Sequence, residues 1–280
     1  MKRIFIVLAL LCAGVAVSAQ GVSIDWKTVP MNGSRTGVKA ANAQNTDEAM
    51  GTIRGCSYVA PNGRKFHGST KKAAKIMLAA QPQMAQVKEV IAYSSREMTE
   101  DYPECELYDW FIDELMRAVE DSTGRKVDIG ITNRGGVRVD MPKGDVLLDD
   151  IMSMFPFRNS LYYLALRGRD IRAVLDHMAA TRFEILGGMK VVAKDGKIVS
   201  VMVGDEPLDD DKLYGVATIS FLLDGGDGYF LQKNAEKKIR CKGYIIDTML
   251  AYVRSLTAQG KPVEYKTDGR ITILDREVKR

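Results

Sequence analysis

Lys126-Val127-Asp128-Ile129-Gly130-Ile131-Thr132-Asn133-Arg134-Gly135-Gly136-Val137-Arg138 is the stretch on which the reading of this chain turns. Its first half alternates and then becomes continuously apolar, the pattern of a short strand entering a sheet core. Its second half breaks at a Gly-Gly pair flanked by an amide and two guanidiniums. Such a loop directly after a strand suits a ligand: glycine lets backbone come close or take positive φ, and Arg138 offers a rigid fork for paired oxygens. A tight turn with solvated arginines also accounts for these letters.

Outward from this stretch, helical and strand patterns mix without regular alternation. Upstream, Leu107, Phe111, Leu115 and Ala118 recur at helical spacing over Glu104–Ser122. A second helix is expected over Gln83–Tyr93, and a third after Gly68, capped by Ser69 or Thr70. Pro61-Asn62-Gly63 marks a small hairpin between 56–60 and 64–67. Downstream, Val146–Met154 reads as helix, Tyr162–Leu166 as strand and Arg169–Met178 as an amphipathic helix. Met189–Val192 and Ile198–Val203 flank Asp195-Gly196, a strong hairpin signal. Leu213–Ile219 is a strand, Gly243 to Leu256 a helix and Arg270–Leu274 a closing strand. The fold expected is α+β, a mixed sheet with helices packed on it.

A second loop stands out at the end of the Leu213–Ile219 strand: Phe221-Leu222-Leu223-Asp224-Gly225-Gly226-Asp227-Gly228. A carboxylate held there can accept from vicinal sugar hydroxyls, and Phe221 can stack on a base, worth roughly 1–3 kcal/mol. A plain glycine-rich turn is the bland alternative; calcium lacks the required ligand pattern.

Several chemistries lack their residues. The chain has two histidines, His67 and His177, both read as structural or solvated. Asp-x-His, Asn-His-Glu and His-x-His arrangements are absent, so no two-metal phosphoesterase centre is legible. Neither a Gly-x-Ser-x-Gly elbow nor a Gly-x-x-x-x-Gly-Lys phosphate loop occurs. No catalytic residue and no metal ligand is assigned.

The first residues read as an export signal. Met1-Lys2-Arg3 is basic, Ile4–Val17 is apolar and Val17-Ser18-Ala19 supplies small residues before a cut. The run is short of the roughly 20 residues of a membrane span, and Leu11 before Cys12 is too bulky for a lipoprotein box. A periplasmic or cell-envelope protein without a lipid anchor is expected. The net charge of +4 is smaller still without the leader and predicts no general attraction to nucleic acid or anionic membrane. Cys56, Cys105 and Cys241 form neither a disulfide framework nor a zinc site; pairing among them is left open. The organisation expected is residues 1–19 signal peptide, 20–55 flexible lead, 56–87 hairpin and helix extension, and 88–280 one domain.

Together and in this order, these segments resemble the C-terminal, substrate-binding domain of the 5′-nucleotidase / UDP-sugar hydrolase family, in a stand-alone bacterial form. Asn133-Arg134-Gly135-Gly136-Val137-Arg138 is similar to its Asn-x-Gly-Gly-Ile/Val-Arg motif, Phe155-Pro156-Phe157 to its Pro-Phe segment, Gly187-Gly188 to the next block, and Phe221–Asp227 to its Phe-x-x-x-Gly-Gly-Asp-Gly signature. The resemblance implies a nucleoside site. Phe221 would be one stacking ring and Asp227 the ribose acceptor, with Asn133 and Arg138 lining the pocket and Gly135, Gly136, Gly225 and Gly226 admitting the ligand. It also implies departures: the second ring would fall near Leu161, a further arginine about Asp101, and a Gly-Asn pair reads Tyr108-Asp109. The family's metal-binding domain is not matched, so the resemblance implies action in nucleotide catabolism with a separately encoded metallophosphatase holding divalent ions. The alternatives are a non-catalytic envelope nucleoside-binding protein and a degenerate interaction scaffold.

Overall fold

The computed structural model describes residues 35–39, 41–42 and 44–274. The leader read over 1–19, and the lead up to residue 34, lie outside them. A short helix α1 (Thr46–Met50) precedes β1 (Thr52–Arg54), β2 (Ser57–Val59), β3 (Lys65–Phe66) and α2 (Gly68–Ala80). Then follow β4 (Val90–Ser94), α3 (Glu106–Thr123), β5 (Ile129–Thr132), β6 (Gly144–Leu147), α4 (Leu148–Met154), β7 (Ser160–Arg167) and α5 (Gly168–Ala180). The last part holds β8 (Ile185–Gly187), β9 (Met189–Lys194), β10 (Lys197–Val203), β11 (Glu206–Pro207), β12 (Leu213–Ile219), β13 (Lys237–Tyr244), α6 (Ile245–Ala258) and β14 (Ile271–Ile273).

The α+β reading holds. A central five-stranded sheet runs β13-β7-β12-β5-β8; a four-stranded sheet runs β11-β10-β9-β14, and β4 pairs with β6. Within the central sheet only β12 and β5 are parallel.

Four local expectations are corrected. The lead is not structureless near its end: α1 and β1 occupy 46–54, and the Tyr58 hydroxyl donates to the Met50 carbonyl at 2.6 Å. Neither Ser69 nor Thr70 caps α2, because the helix already starts at Gly68 and leaves both inside it. Over 83–93, helix formers give way to Val90-Ile91, and pairing with β6 draws this segment into β4 (Val90↔Leu147, Ser94↔Gly144); cross-strand packing outweighs propensity here. The helix expected at Val146 begins at Leu148, since 144–147 is that partner strand.

Helix α3 is the spine of the core. Leu107, Tyr108, Trp110, Phe111, Ile112 and Leu115 are all buried, each contributing about 1.5–3 kcal/mol where large and apolar. Gly130 on β5 and Gly187 on β8 let it come close. A Cβ at Gly130 would lie 2.7 Å from Ile112, and one at Gly187 2.6 Å from the Met116 sulfur. Cys105 and Cys241 are buried free thiols, raised in pKa by burial, and Cys56 is an exposed free thiol. No disulfide joins these three.

The C-terminal segment is clamped onto α3 by Arg270, whose side chain is 6% exposed. Its guanidinium donates to both Asp113 oxygens at 2.7 Å and to Asp268 at 2.9 Å, with Asp109 at 3.7 Å. Glu104 accepts the backbone N–H groups of Asp268, Gly269 and Ile271. Burial pushes the Asp109 carboxyl up to about 8, opposed by Arg270 and aided by a hydrogen bond with Glu104. Native Asp109 therefore keeps its proton while an unfolded aspartate, from 3.8 upward, has lost it. Stability from this group is complete below that value and falls as pH rises toward 8, by up to about 1.4 kcal/mol per pH unit. Asp109→Asn is expected to flatten that decline. Urea unfolding at acid and mildly alkaline pH checks it, and an identical slope in both proteins would reject the assignment.

Candidate functional site

Strand register decides where the two glycine loops meet. Val216↔Ile129 and Ala217↔Gly130 run parallel, so β5 and β12 end on the same side of the sheet. Ile219↔Leu161 and Thr132↔Ile185 are antiparallel, so β7 and β8 begin on that side. Four segments therefore converge there: Asn133–Arg138 after β5, Phe155–Asn159 before β7, Glu184 before β8, and Ser220–Gly228 after β12. A hydrogen bond from Ser160 N to Ser220 Oγ (3.1 Å), and one from Ser220 Oγ to Asn159 Oδ1 (3.2 Å), lace two of them together.

The two motifs that stand 94 residues apart in sequence meet directly: Asn133 Nδ2 donates to Asp227 Oδ2 at 2.8 Å. Asn133 is buried and its Oδ1 has no hydrogen-bond partner. Gly135 and Gly136 pack over this amide, a Cβ at Gly136 meeting Oδ1 at 3.1 Å. Asp227 is exposed and left-handed at φ 49°, as is Gly225 at φ 98°. An aspartate held there stores backbone strain, a feature common at ligand-binding turns. The loop is closed by Gly225 N to Tyr229 O (2.7 Å) and Leu231 N to Leu222 O (3.1 Å). Gly226 lies against Phe221, with 2.0 Å between an added Cβ and the Phe221 carbonyl oxygen.

Phe221 is 42% exposed. Leu161, where the resemblance puts a second ring, is instead 2% exposed in the core opposite Ile219. The exposed ring at this end of the sheet is Phe157, 41% open, with the Arg138 guanidinium 5.0 Å over it. Phe157 stands four residues before Leu161, and Phe221 two residues after Leu161's partner. The Phe155-Pro156-Phe157 segment already contained this residue.

Asp101 is exposed, yet a guanidinium does reach it, that of Arg134. Arg134 is buried, lies 4.6 Å over the Tyr108 ring and 5.2 Å from the Tyr102 ring, and donates to the Asp101 carbonyl at 2.7 Å and to Glu100 at 3.2 Å. It thus anchors the motif from below. Its backbone N–H donates to Glu184 at 2.7 Å. Burial raises the Glu184 pKa against that hydrogen bond, and the Asp227 charge raises it further. Tyr229 is raised by burial, then by Glu184 and Asp227. Glu184 and Tyr229 carried no sequence signal, because only packing identifies them; Arg134 stood in the motif, and packing alone turns it under the loop.

Behind the glycine loop, His177 meets Tyr229 edge-on at 5.4 Å and helps line a cleft of about 220 Å³ with Val174, Phe230 and Leu231. His67 is held by the Cys56 carbonyl at 3.1 Å. Among the described residues one carboxylate group is close enough to share an ion, Glu104, Asp109 and Asp268. Arg270 and backbone N–H groups engage Glu104 and Asp268, and the Arg270 guanidinium stands 3.7 Å from Asp109, so the group does not fit a hydrolytic metal pair.

The family model "5′-nucleotidase, C-terminal domain" matches residues 83–233. The chain is 28% identical over 198 residues to a 5′-nucleotidase-related protein of Glossina morsitans morsitans, covering 61% of this chain and 35% of that protein. It is 30% identical over 120 residues to the protein UshA of Escherichia coli, covering 41% and 22%. In three dimensions it resembles a 5′-nucleotidase precursor from Thermus thermophilus, with a TM-score of 0.65, 25% identity and coverage of 78% and 45%. The chain therefore spans less than half the length of these relatives.

Proposed function

Since the chain belongs to the 5′-nucleotidase C-terminal domain family, we propose that it is the nucleoside-binding half of an exported 5′-nucleotidase-type phosphohydrolase. A separately encoded metallophosphatase supplies the divalent ions and the attacking water. The convergence of Phe157, Phe221 and the Asn133–Asp227 pair at one end of the central sheet carries this reading. Two open aromatic faces suit a base, and the strained Asp227 carboxylate suits a pair of ribose hydroxyls. Arg138, stacked on Phe157, is placed to meet oxygens on the ligand. The leader fits a place in the periplasm or cell envelope.

Adenosine binding by calorimetry tests the pocket. Phe221→Ala and Phe157→Ala should each weaken it by about 1–3 kcal/mol, and Asp227→Asn by about 1.5–3 kcal/mol. Unchanged affinity in all three defeats the assignment. AMP hydrolysis with Mn²⁺, with and without a candidate metallophosphatase, separates the readings. Release of phosphate only in the mixture supports the divided enzyme. Binding without hydrolysis in either favours a non-catalytic binding protein, the reading that the scarcity of histidine supports.

A further inference from the structure

The end of the central sheet that holds the glycine loops is laid out in strand order, β7-β12-β5-β8. The open rings Phe157 and Phe221 stand before β7 and after β12, and the Asn133–Asp227 hydrogen bond joins the loops after β5 and β12. Strand β8 comes next, and Arg182 stands three residues before its first residue, Ile185. Neighbouring strands lie about 4.8 Å apart, so β8 begins about 7 Å beyond the midpoint between β12 and β5. A ligand that follows this order meets the rings first, then the amide–carboxylate pair, then Arg182.

Arg182 is exposed and forms no salt bridge among the described residues; its guanidinium lies 5.1 Å over the Tyr102 ring. The same ring carries the Arg134 guanidinium at 5.2 Å, and its hydroxyl accepts the Phe183 N–H at 3.4 Å. Tyr102 thereby ties the backbone beside Arg182 to the arginine that anchors the Asn133 loop. Glu100 is paired with Arg134, and the Asp101 carboxylate accepts the Tyr102 N–H, so neither takes the Arg182 fork. Glu184 stands close by: burial raises its pKa and Asp227 adds to the rise, while the charges of Arg134 and Arg182 oppose it. Two carboxylates, Glu184 and Asp227, thus act on this end of the sheet, and Arg182 is the exposed cation on its β8 side.

Given the nucleoside reading of this pocket, on which this rests, we propose that Arg182 receives the 5′-phosphate of a bound nucleotide and makes the pocket select 5′-nucleotides over nucleosides. The base lies against Phe157 and Phe221, and the ribose hydroxyls lie on Asp227. C1′ and C4′ stand on opposite sides of the ribose ring, so the 5′-carbon leaves away from the base, toward β8. A guanidinium meets a phosphate through two parallel N–H···O bonds. Stacking on Tyr102 occupies the planar face of Arg182 and leaves its N–H edge for the ligand. A 3′-phosphate would fall instead on Asp227, anion against anion.

The test is calorimetric titration of the full chain, in metal-free buffer, with adenosine, AMP and adenosine 3′-monophosphate. Wild type is expected to bind AMP about 10- to 100-fold tighter than adenosine, the span of one charge-assisted bidentate contact. The 3′-isomer should bind no tighter than adenosine. Arg182→Gln should abolish the AMP preference and leave adenosine affinity in place. Arg182→Lys should keep part of the preference, because the charge remains while the fork is lost. The side chain is exposed, so the melting temperature of both variants should stay at the wild-type value. Failure of adenosine and AMP alike to bind wild type would sink the nucleoside reading and this assignment together. Adenosine binding with AMP no tighter, or an AMP preference that survives Arg182→Gln, overturns the Arg182 assignment alone. An equal loss of both ligands in Arg182→Gln also overturns it, making Arg182 a support of the Asn133 loop through Tyr102.

Discussion

Arg270→Ala is expected to destabilise the fold by about 3–5 kcal/mol, the cost of removing one partner from a buried ion pair. The substitution leaves Asp109, 2% exposed, facing Asp113 with no cation between α3 and the C-terminal segment. It also strips two donors from Asp113, which then keeps the Tyr265 hydroxyl. Among the described strands β14 pairs only with β9, and it is held through Arg270 to Asp113 on α3 and through Glu104 just before that helix, so its docking should fail first. Urea unfolding measures the loss. Asp113→Asn in the Arg270→Ala background should restore part of it, because it deletes the carboxylate left without its guanidinium. A loss under about 1 kcal/mol would show that water reaches this network and screens it.

Gly226→Ala is the second large effect, and it falls on binding as well as stability. The new methyl would sit 2.0 Å from the Phe221 carbonyl oxygen and 2.8 Å from its ring. Backbone cannot yield as a flexible side-chain tip can, so the loop or Phe221 must move. Overpacking of this kind costs about 1–3 kcal/mol in stability. Displacing the ring and re-aiming Asp227, the next residue, should together abolish measurable adenosine binding, since each contact alone is worth about 1–3 kcal/mol. The β12–β7 pairing lies outside the loop, so the far-ultraviolet dichroism should remain native. Wild-type affinity in Gly226→Ala would mean that the ligand does not engage this loop. Gly225→Ala is a weaker control: its Cβ meets only the Phe230 ring edge at 3.4 Å, though φ 98° still disfavours alanine.

Much of the architecture was legible because period and turn chemistry are local. The spacing of Leu107, Phe111 and Leu115 marked α3, and Asp195-Gly196 marked the β9–β10 hairpin, with Asp195 at φ 50° and Gly196 at φ 70°. Segment 83–93 reads as helix locally, whereas Val90–Ser94 owes its strand form to β6, paired from Val90↔Leu147 to Ser94↔Gly144 far along the chain. The site divided in the same manner. Asn133, Arg138, Phe221 and Asp227 stood in recognisable motifs. Phe157 stood in the Phe155-Pro156-Phe157 segment, but that Leu161 is buried opposite Ile219 while Phe157 stays open is decided by packing of β7 against β12.

The opening stretch illustrates the division. From Lys126 to Arg138, the residues themselves determined a buried strand ending in a glycine loop, since alternation, apolar run and Gly-Gly act on the local backbone. That Arg134 would turn under the loop and Arg138 would turn out over Phe157 was decided only in three dimensions. The same holds for Asn133 meeting Asp227. Both outcomes depend on β5 lying parallel to β12, and strand order across a sheet is a product of long-range packing that no local pattern encodes.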